Sequence, residues 1–130
     1  MENALARSGK TPREIGYIDA NASGTEVTDL LELKAIQEVY RADNATPCEL
    51  GSMKPNIGHP LCAEGIASFI KVVSMLHRAE RVPFLSAQQP MKHFDLAASP
   101  FRFSRTWWSW LCQLASFRNS VSQVRICRAV

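Results

Sequence analysis

The stretch from Cys62 to His77 sets the tightest limit on what this chain can fold into. Read as a helix, it places Ile66, Ala67, Phe69, Ile70, Val72, Val73, Met75 and Leu76 around nearly its whole circumference. A helix that is apolar on all sides must be covered on all sides. That demands a layered α/β arrangement with this helix sandwiched between other elements, and 130 residues supply only part of such a layering. The chain is therefore expected to be a piece of a larger fold.

Other elements are legible around it. "MENALARSG" reads as the last turns of a helix closed by Gly9, because glycine readily takes the left-handed conformation at a helix end. "IGYIDAN", residues 15 to 21, alternates like a strand that "SGT" then breaks. A second helix is predicted from Asp29, where Asp29 and Glu32 have capping-box spacing and Leu30, Leu31, Leu33, Ile36, Val39 and Tyr40 follow at helical intervals. "CELGSM" reads as a short strand, "KPNIGHP" as irregular because of two prolines and a glycine, "RVPFLSAQQPMKHFD" as loop, and "SPFRFSR" as a strand.

Composition narrows the class. No apolar run approaches the roughly 20 residues of a membrane span, and the N-terminus lacks the apolar core of a secretory signal, so a cytoplasmic protein without a membrane partner is expected. Cys48, Cys62, Cys112 and Cys127 lie far apart and form no Cys-x-x-Cys pair, and Cys48, His59 and Cys62 fit no common metal spacing. No metal is expected. Residues 1–95 carry 10 Lys or Arg against 12 Asp or Glu, whereas residues 96–130 carry five arginines and no acid. Those arginines neither cluster nor follow a known module, so no nucleic-acid partner is expected.

Two segments carry candidate chemistry. His59 falls at the start of the apolar helix, where free backbone N–H groups disfavour imidazolium; a neutral histidine there can donate to a developing oxyanion. Lys54 and Asn56 lie in the same irregular segment and offer charge and a further donor. The alternative is that His59 caps the helix and Lys54 is a surface residue. "NASGTEVTDLLE", residues 21 to 32, is a turn that places Asn21 or Ser23 at a pocket, or else a plain strand-to-helix turn with Asp29 as N-cap. Cys62 is read as a buried packing residue in the first turn of the helix.

Taken together, "YIDANASGTEVTDLLE", "LGSMKPNIGHPLCAEGIASFIKVV" and "SPFRFSR" resemble the C-terminal half of β-ketoacyl synthases, the condensing enzymes of polyketide and fatty-acid assembly. The resemblance runs from about Glu2 to Trp110 and is nearest to bacterial modular or trans-acyltransferase polyketide systems. It implies the C-terminal half of a thiolase-like α-β-α-β-α layered fold, incomplete here. It also implies that Lys54, Asn56 and His59 belong to the family's Lys-x-Asn-Ile-Gly-His motif, with His59 stabilising an enolate or thioester oxyanion. The family's other histidine motif, Glu-Ala-His-Gly-Thr-Gly-Thr-x-x-Gly-Asp-Pro-x-Glu, reads "DANASGTEVTDLLE" here. Gly24, Thr25, Asp29 and Glu32 are kept, and Asn21 stands where the histidine is expected. An amide cannot titrate near neutral pH and so cannot transfer a proton.

From the resemblance follow the expected activity and partners: acyl transfer and decarboxylative Claisen condensation on thioesters, with phosphopantetheine carried by an acyl carrier protein and no cofactor held by the chain itself. Asn21 and His59, with Lys54, are the expected catalytic residues; Asn56, Thr25 and Ser23 are the expected substrate-binding ones. The N-terminal half of a ketosynthase or a homodimer partner is expected to complete the fold. The family's nucleophilic cysteine and its glycine-rich closing segment have no counterpart in this chain, and all six glycines lie at or before Gly65. Residues 1–110 are thus expected to be a partial ketosynthase domain, and residues 111–130 an atypical tail, frame-shifted or disordered. The isolated chain is expected to be non-elongating and inactive, or alternatively a non-catalytic module that docks on a carrier protein or ketosynthase partner.

Overall fold

The computed structural model of the chain describes residues 1–40, 47–85 and 91–104 together with the strand Trp108–Ser109. Helix α1 spans Glu2–Ser8 and is closed by Gly9 in the left-handed conformation, as the sequence predicts. Strand β1, Tyr17–Asp19, leads to helix α2, Glu26–Val39; strand β2, Cys48–Gly51, leads to a single helical turn α3, Lys54–Ile57. Helix α4, Glu64–Arg78, follows a 3-10 turn at Leu61–Ala63, and strands β3, Glu80–Arg81, β4, Phe101–Phe103, and β5, Trp108–Ser109, complete the order. The expected tail, residues 111–130, lies outside the described residues.

Strands β1, β2 and β4 form a parallel sheet in that order, with Ile18 opposite Leu50 and Leu50 opposite Phe103; β3 and β5 pair antiparallel. Alternation along the strands then splits the side chains between two faces. Ile18, Cys48, Leu50 and Phe101 pack with Leu33 and Ile36 of α2 and with Tyr40 just past its end, while Tyr17 packs on the other face with Val72 and Met75 of α4. The described part is therefore α on β on α. Full burial of a side chain such as Ile36 contributes about 1.5–3 kcal/mol, so the α2 face holds most of the apolar stabilisation.

Three local expectations are corrected. Helix α2 begins at Glu26 with Thr25 as its N-cap residue, a turn earlier than Asp29, because Asp29 and Glu32 serve the preceding loop instead of their own helix end. The "KPNIGHP" segment is not wholly irregular: Pro55 sits in the first turn of α3, where its missing N–H has no intrahelical partner to lose. Cys62 is exposed in the 3-10 turn, not buried in the helix. Leu61 takes a positive φ of 49°, which delays the α-helix to Glu64.

Helix α4 is covered on one face among the described residues. Ile66, Ile70, Val73 and Leu76 remain 56%, 57%, 44% and 43% exposed. The helix is not apolar around its whole circumference: Glu64, Ser68, Lys71, Ser74 and Arg78 share one arc, and Ile66, Ile70, Val73 and Leu76 form an apolar stripe for which the described residues supply no covering layer.

Cys48 behaves oppositely to Cys62. Burial, reinforced by the neighbouring Glu49 carboxylate, pushes its thiol from the ordinary 9.0 up to about 12. Burial also raises Tyr17, with Asp19 adding to the shift. Both groups keep their protons in the native chain while the unfolded chain ionises, so the native state binds more protons and loses stability as pH rises. For Cys48 this contribution is intact below 9.0 and lost on the way to about 12. The urea midpoint is expected to fall between pH 8 and about pH 10, and Cys48→Ala to flatten part of that fall; an unchanged slope in the variant would contradict the assignment.

Candidate active site

The loop after β1 is gripped by two carboxylates of α2. Glu32 Oε1 and Oε2 accept the backbone N–H groups of Asn21 and Ala22 at 2.6 and 2.8 Å. Asp29 accepts the Ser23 hydroxyl at 2.9 Å and the Gly24 N–H at 3.1 Å. Charge-assisted bonds of this kind are roughly twice as strong as neutral ones. They hold Ala22 at a positive φ of 45°, a conformation that residues with a Cβ seldom adopt. The loop is thus fixed with the Asn21 side chain turned toward the end of β2.

There it meets Lys54. The ammonium donates to Asn21 Oδ1, and the Lys54 side chain is only 8% exposed. Ser52, buried beside it, donates its hydroxyl to the Asn21 carbonyl at 3.4 Å and accepts the Lys54 N–H at 3.3 Å. Lys54 also lies 3.2 Å from Glu64 Oε1, and His59 Nε2 lies 2.9 Å from the same oxygen. His59 Nδ1 accepts the backbone N–H of Leu61 at 3.2 Å, which leaves Nε2 as the protonated nitrogen and the donor to Glu64. Gly58 makes this possible. Its φ of 77° with ψ of −170° belongs to a region essentially confined to glycine, and it turns the chain from α3 so that His59 faces the start of α4.

The result is a continuous polar chain, Asn21 to Lys54 to Glu64 to His59, linking the β1 loop to the first residue of α4. Beside it lies a cavity of about 630 Å³, a size suited to a small-molecule ligand. Lys54, His59 and Ser23, with the carboxylates Glu26, Asp29 and Glu32, line its polar part; Leu33, Leu50, Phe84, Met91 and Phe103 line its apolar part. Among the residues lining it, Lys54 is the sole lysine or arginine. Two donors, one cationic, next to an apolar space can hold an oxygen that carries or develops negative charge.

Of the residues expected from sequence, Asn21, Lys54 and His59 are brought together and Ser23 reaches the cavity wall. Thr25 is exposed at the head of α2, its hydroxyl 2.9 Å from that of Ser23, and does not line the cavity. Asn56 is exposed on α3 and does not line it either. Sequence reading missed Glu64, whose one signal was an acid in the first turn of the helix after a histidine. It also missed the loop-gripping role of Asp29 and Glu32.

A strand-loop-helix carrying "NASGT", a parallel neighbour leading into "KPNIGH", and a long apolar helix define the C-terminal domain of a β-ketoacyl synthase, and the chain belongs to that family. Residues 1–88 match its family description, "Beta-ketoacyl synthase, C-terminal domain". Polyketide synthase PksL of Bacillus subtilis (strain 168) is 56% identical over 110 residues, covering 85% of this chain and 2% of that protein. The ketosynthase domain OzmH KS8 of oxazolomycin from Streptomyces albus JA3453 superimposes with a TM-score of 0.79 at 55% identity, over 85% of this chain and 30% of that one. Ketosynthase twelve of the bacillaene polyketide synthase of Bacillus amyloliquefaciens gives 0.77 at 33% identity, over 83% and 20%. The thiolase-like architecture and its partial, C-terminal coverage are thereby established. No helix among the described residues is long and apolar enough to cross a membrane.

Proposed function

We propose that this chain supplies the His59 side of a polyketide ketosynthase site acting on carrier-protein thioesters in the cytoplasm. One observation carries the reading: His59 Nε2 and Lys54 Nζ converge on a single oxygen at the edge of a partly apolar cavity. Turned on a malonyl thioester, the same two donors stabilise the charge that decarboxylation creates. The bond between the thioester α-carbon and the carboxyl carbon breaks, carbon dioxide leaves, and the electron pair passes into an enolate whose oxygen the donors hold; without condensation its α-carbon then takes a proton from water, giving the acetyl thioester. Likeness to PksL and to the oxazolomycin and bacillaene ketosynthase domains supports a carrier-bound polyketide substrate, with phosphopantetheine belonging to the carrier protein.

Asn21 decides how far the chemistry goes. It takes the place of the family's proton-transferring histidine, and its Oδ1 is committed to Lys54. An amide there holds the lysine but moves no proton. We therefore assign the parent domain to decarboxylation or chain transfer without elongation, the site being completed by the N-terminal half of a ketosynthase or by a second subunit. The domain extends over residues 1–110, with 111–130 as an appended tail, and the chain by itself is inactive. A second reading, docking on a carrier protein without turnover, is favoured by the same committed Asn21.

The full chain is expected to bind malonyl-phosphopantetheinyl carrier protein more tightly than the apo carrier, and His59→Ala to weaken that preference by about tenfold, as expected for loss of one charge-assisted hydrogen bond. Calorimetry with parallel assay of carbon dioxide release separates the two readings. Equal affinity for apo and malonylated carrier, or a condensation product from this chain alone, would sink the proposal.

A further inference from the structure

The two donors of the site are already occupied. Glu64 Oε1 takes both His59 Nε2 and Lys54 Nζ, at 2.9 and 3.2 Å, while Glu64 itself stands outside the cavity lining and is 30% exposed. The remaining partner of Lys54 among the described residues is the neutral Asn21 carbonyl. The Glu64 carboxylate neutralises Lys54 locally, and the carboxylates that do line the cavity, Glu26, Asp29 and Glu32, offer an anion nothing.

We infer that Glu64 is a specificity-determining latch: its carboxylate competes with the substrate's anionic oxygen for His59 and Lys54, so that a ligand must displace it to reach the donors. This deepens the reading of His59 and Lys54 given above and rests on it. The physical argument is charge balance. Lys54 is 8% exposed, and a buried ammonium stripped of its carboxylate is strongly unfavourable, so without Glu64 the site draws an anion from solution. Glu64 is free enough to move, being on the first turn of α4 with its remaining surface toward water. The latch also selects: a ligand with one weak acceptor cannot displace a carboxylate held at two points, whereas a ligand bearing its own carboxylate exchanges like for like.

The test uses sodium malonate as probe, titrated into the full chain while the His59 imidazole nitrogens are followed by two-bond nitrogen–proton NMR. Glu64→Ala is expected to bind malonate about tenfold more tightly than the unmodified chain, with Glu64→Gln in between because its amide oxygen still accepts but carries no charge. In both variants the His59 Nε2 resonance should shift on titration. Lys54→Met combined with Glu64→Ala should return the affinity to the unmodified level or below. Where Glu64→Ala does not fold, Glu64→Gln decides, since it preserves shape at a partly exposed position. Unchanged malonate affinity in the Gln and Ala variants, or tightening that survives removal of Lys54, overturns the latch. Tightened malonate binding in a chain indifferent to malonyl carrier protein would leave the latch standing and defeat the acyl-chemistry reading instead.

Discussion

Replacing Lys71 by methionine is expected to cost about 3–5 kcal/mol, the usual penalty for removing one member of a buried ion pair. Lys71 Nζ lies 2.6 Å from Asp19 Oδ2, and the two side chains are 13% and 5% exposed. Tyr17 donates to the same oxygen at 2.8 Å, and Asp19 Oδ1 has no hydrogen-bond partner among the described residues. Once the ammonium is gone, a buried carboxylate retains one hydroxyl donor. For a domain of this size, stable by roughly 5–15 kcal/mol at most, such a loss consumes a large share. Asp19→Asn with Lys71→Met is expected to recover at least half of it, since the amide needs no counter-ion and Tyr17 can still donate to its oxygen. Urea denaturation of the single and double variants measures the difference. A loss below about 1 kcal/mol for Lys71→Met would mean that the pair is solvated like a surface bridge.

The pair matters to the site because it ties α4 to β1. Lys71 lies within α4, whose first residue is Glu64, and Asp19 ends β1 just before Asn21. Gly51, opposite Asp19 in the register, leaves room for the Tyr17 ring: a Cβ there would overlap the hydroxyl and lie 3.0 Å from the carbon that bears it. Sheet, strut and helix start are thereby one construction, and a change in the strut reaches Asn21 and Glu64 together.

Which of these features the sequence discloses depends on how local their causes are. The strands are legible because period-two alternation and flanking turn residues act within a few positions: Ile18 and Tyr17 go to opposite faces whatever lies beyond. Helix α4 is legible for the same reason, and so is its demand for a cover on Ile66 and Ile70. Lys54 and His59 are legible as a motif, whereas their meeting through Glu64 is not. It depends on the glycine-only backbone conformation of Gly58 and the positive φ of Leu61, and no spacing rule announces either. Asp29 and Glu32 mislead in an instructive way. The three-residue spacing that serves a capping box also puts two carboxylates on one helix face, and here that face grips the loop. Pattern identifies the pair of acids, but only the path of residues 21–24 shows which backbone they hold. Thr25 and Asn56 stand away from the cavity lining, because a motif fixes which residue types occur and not which way each points.

The second large effect is expected at Glu32. Its two oxygens accept the N–H groups of Asn21 and Ala22 at 2.6 and 2.8 Å, and they hold Ala22 at its left-handed φ. Hydrogen bonds to a charged group contribute about 1.5–3 kcal/mol each, though water replaces part of this on the exposed side of the loop. Glu32→Ala should therefore destabilise the chain by about 2–3 kcal/mol. It should also free Asn21, so that Lys54 loses its carbonyl partner and keeps Glu64 alone. Glu32→Gln separates the two consequences: the amide can satisfy one N–H but presents its NH2 group to the other, so about half the stability returns while the loop stays misplaced. Denaturation reports the first consequence and amide exchange at Asn21 and Ala22 the second. If Glu32→Ala left both amides as protected as before, the loop would be held by Asp29 and Ser52 without it, and the placement of Asn21 against Lys54 would have to be credited to the β2 side of the site.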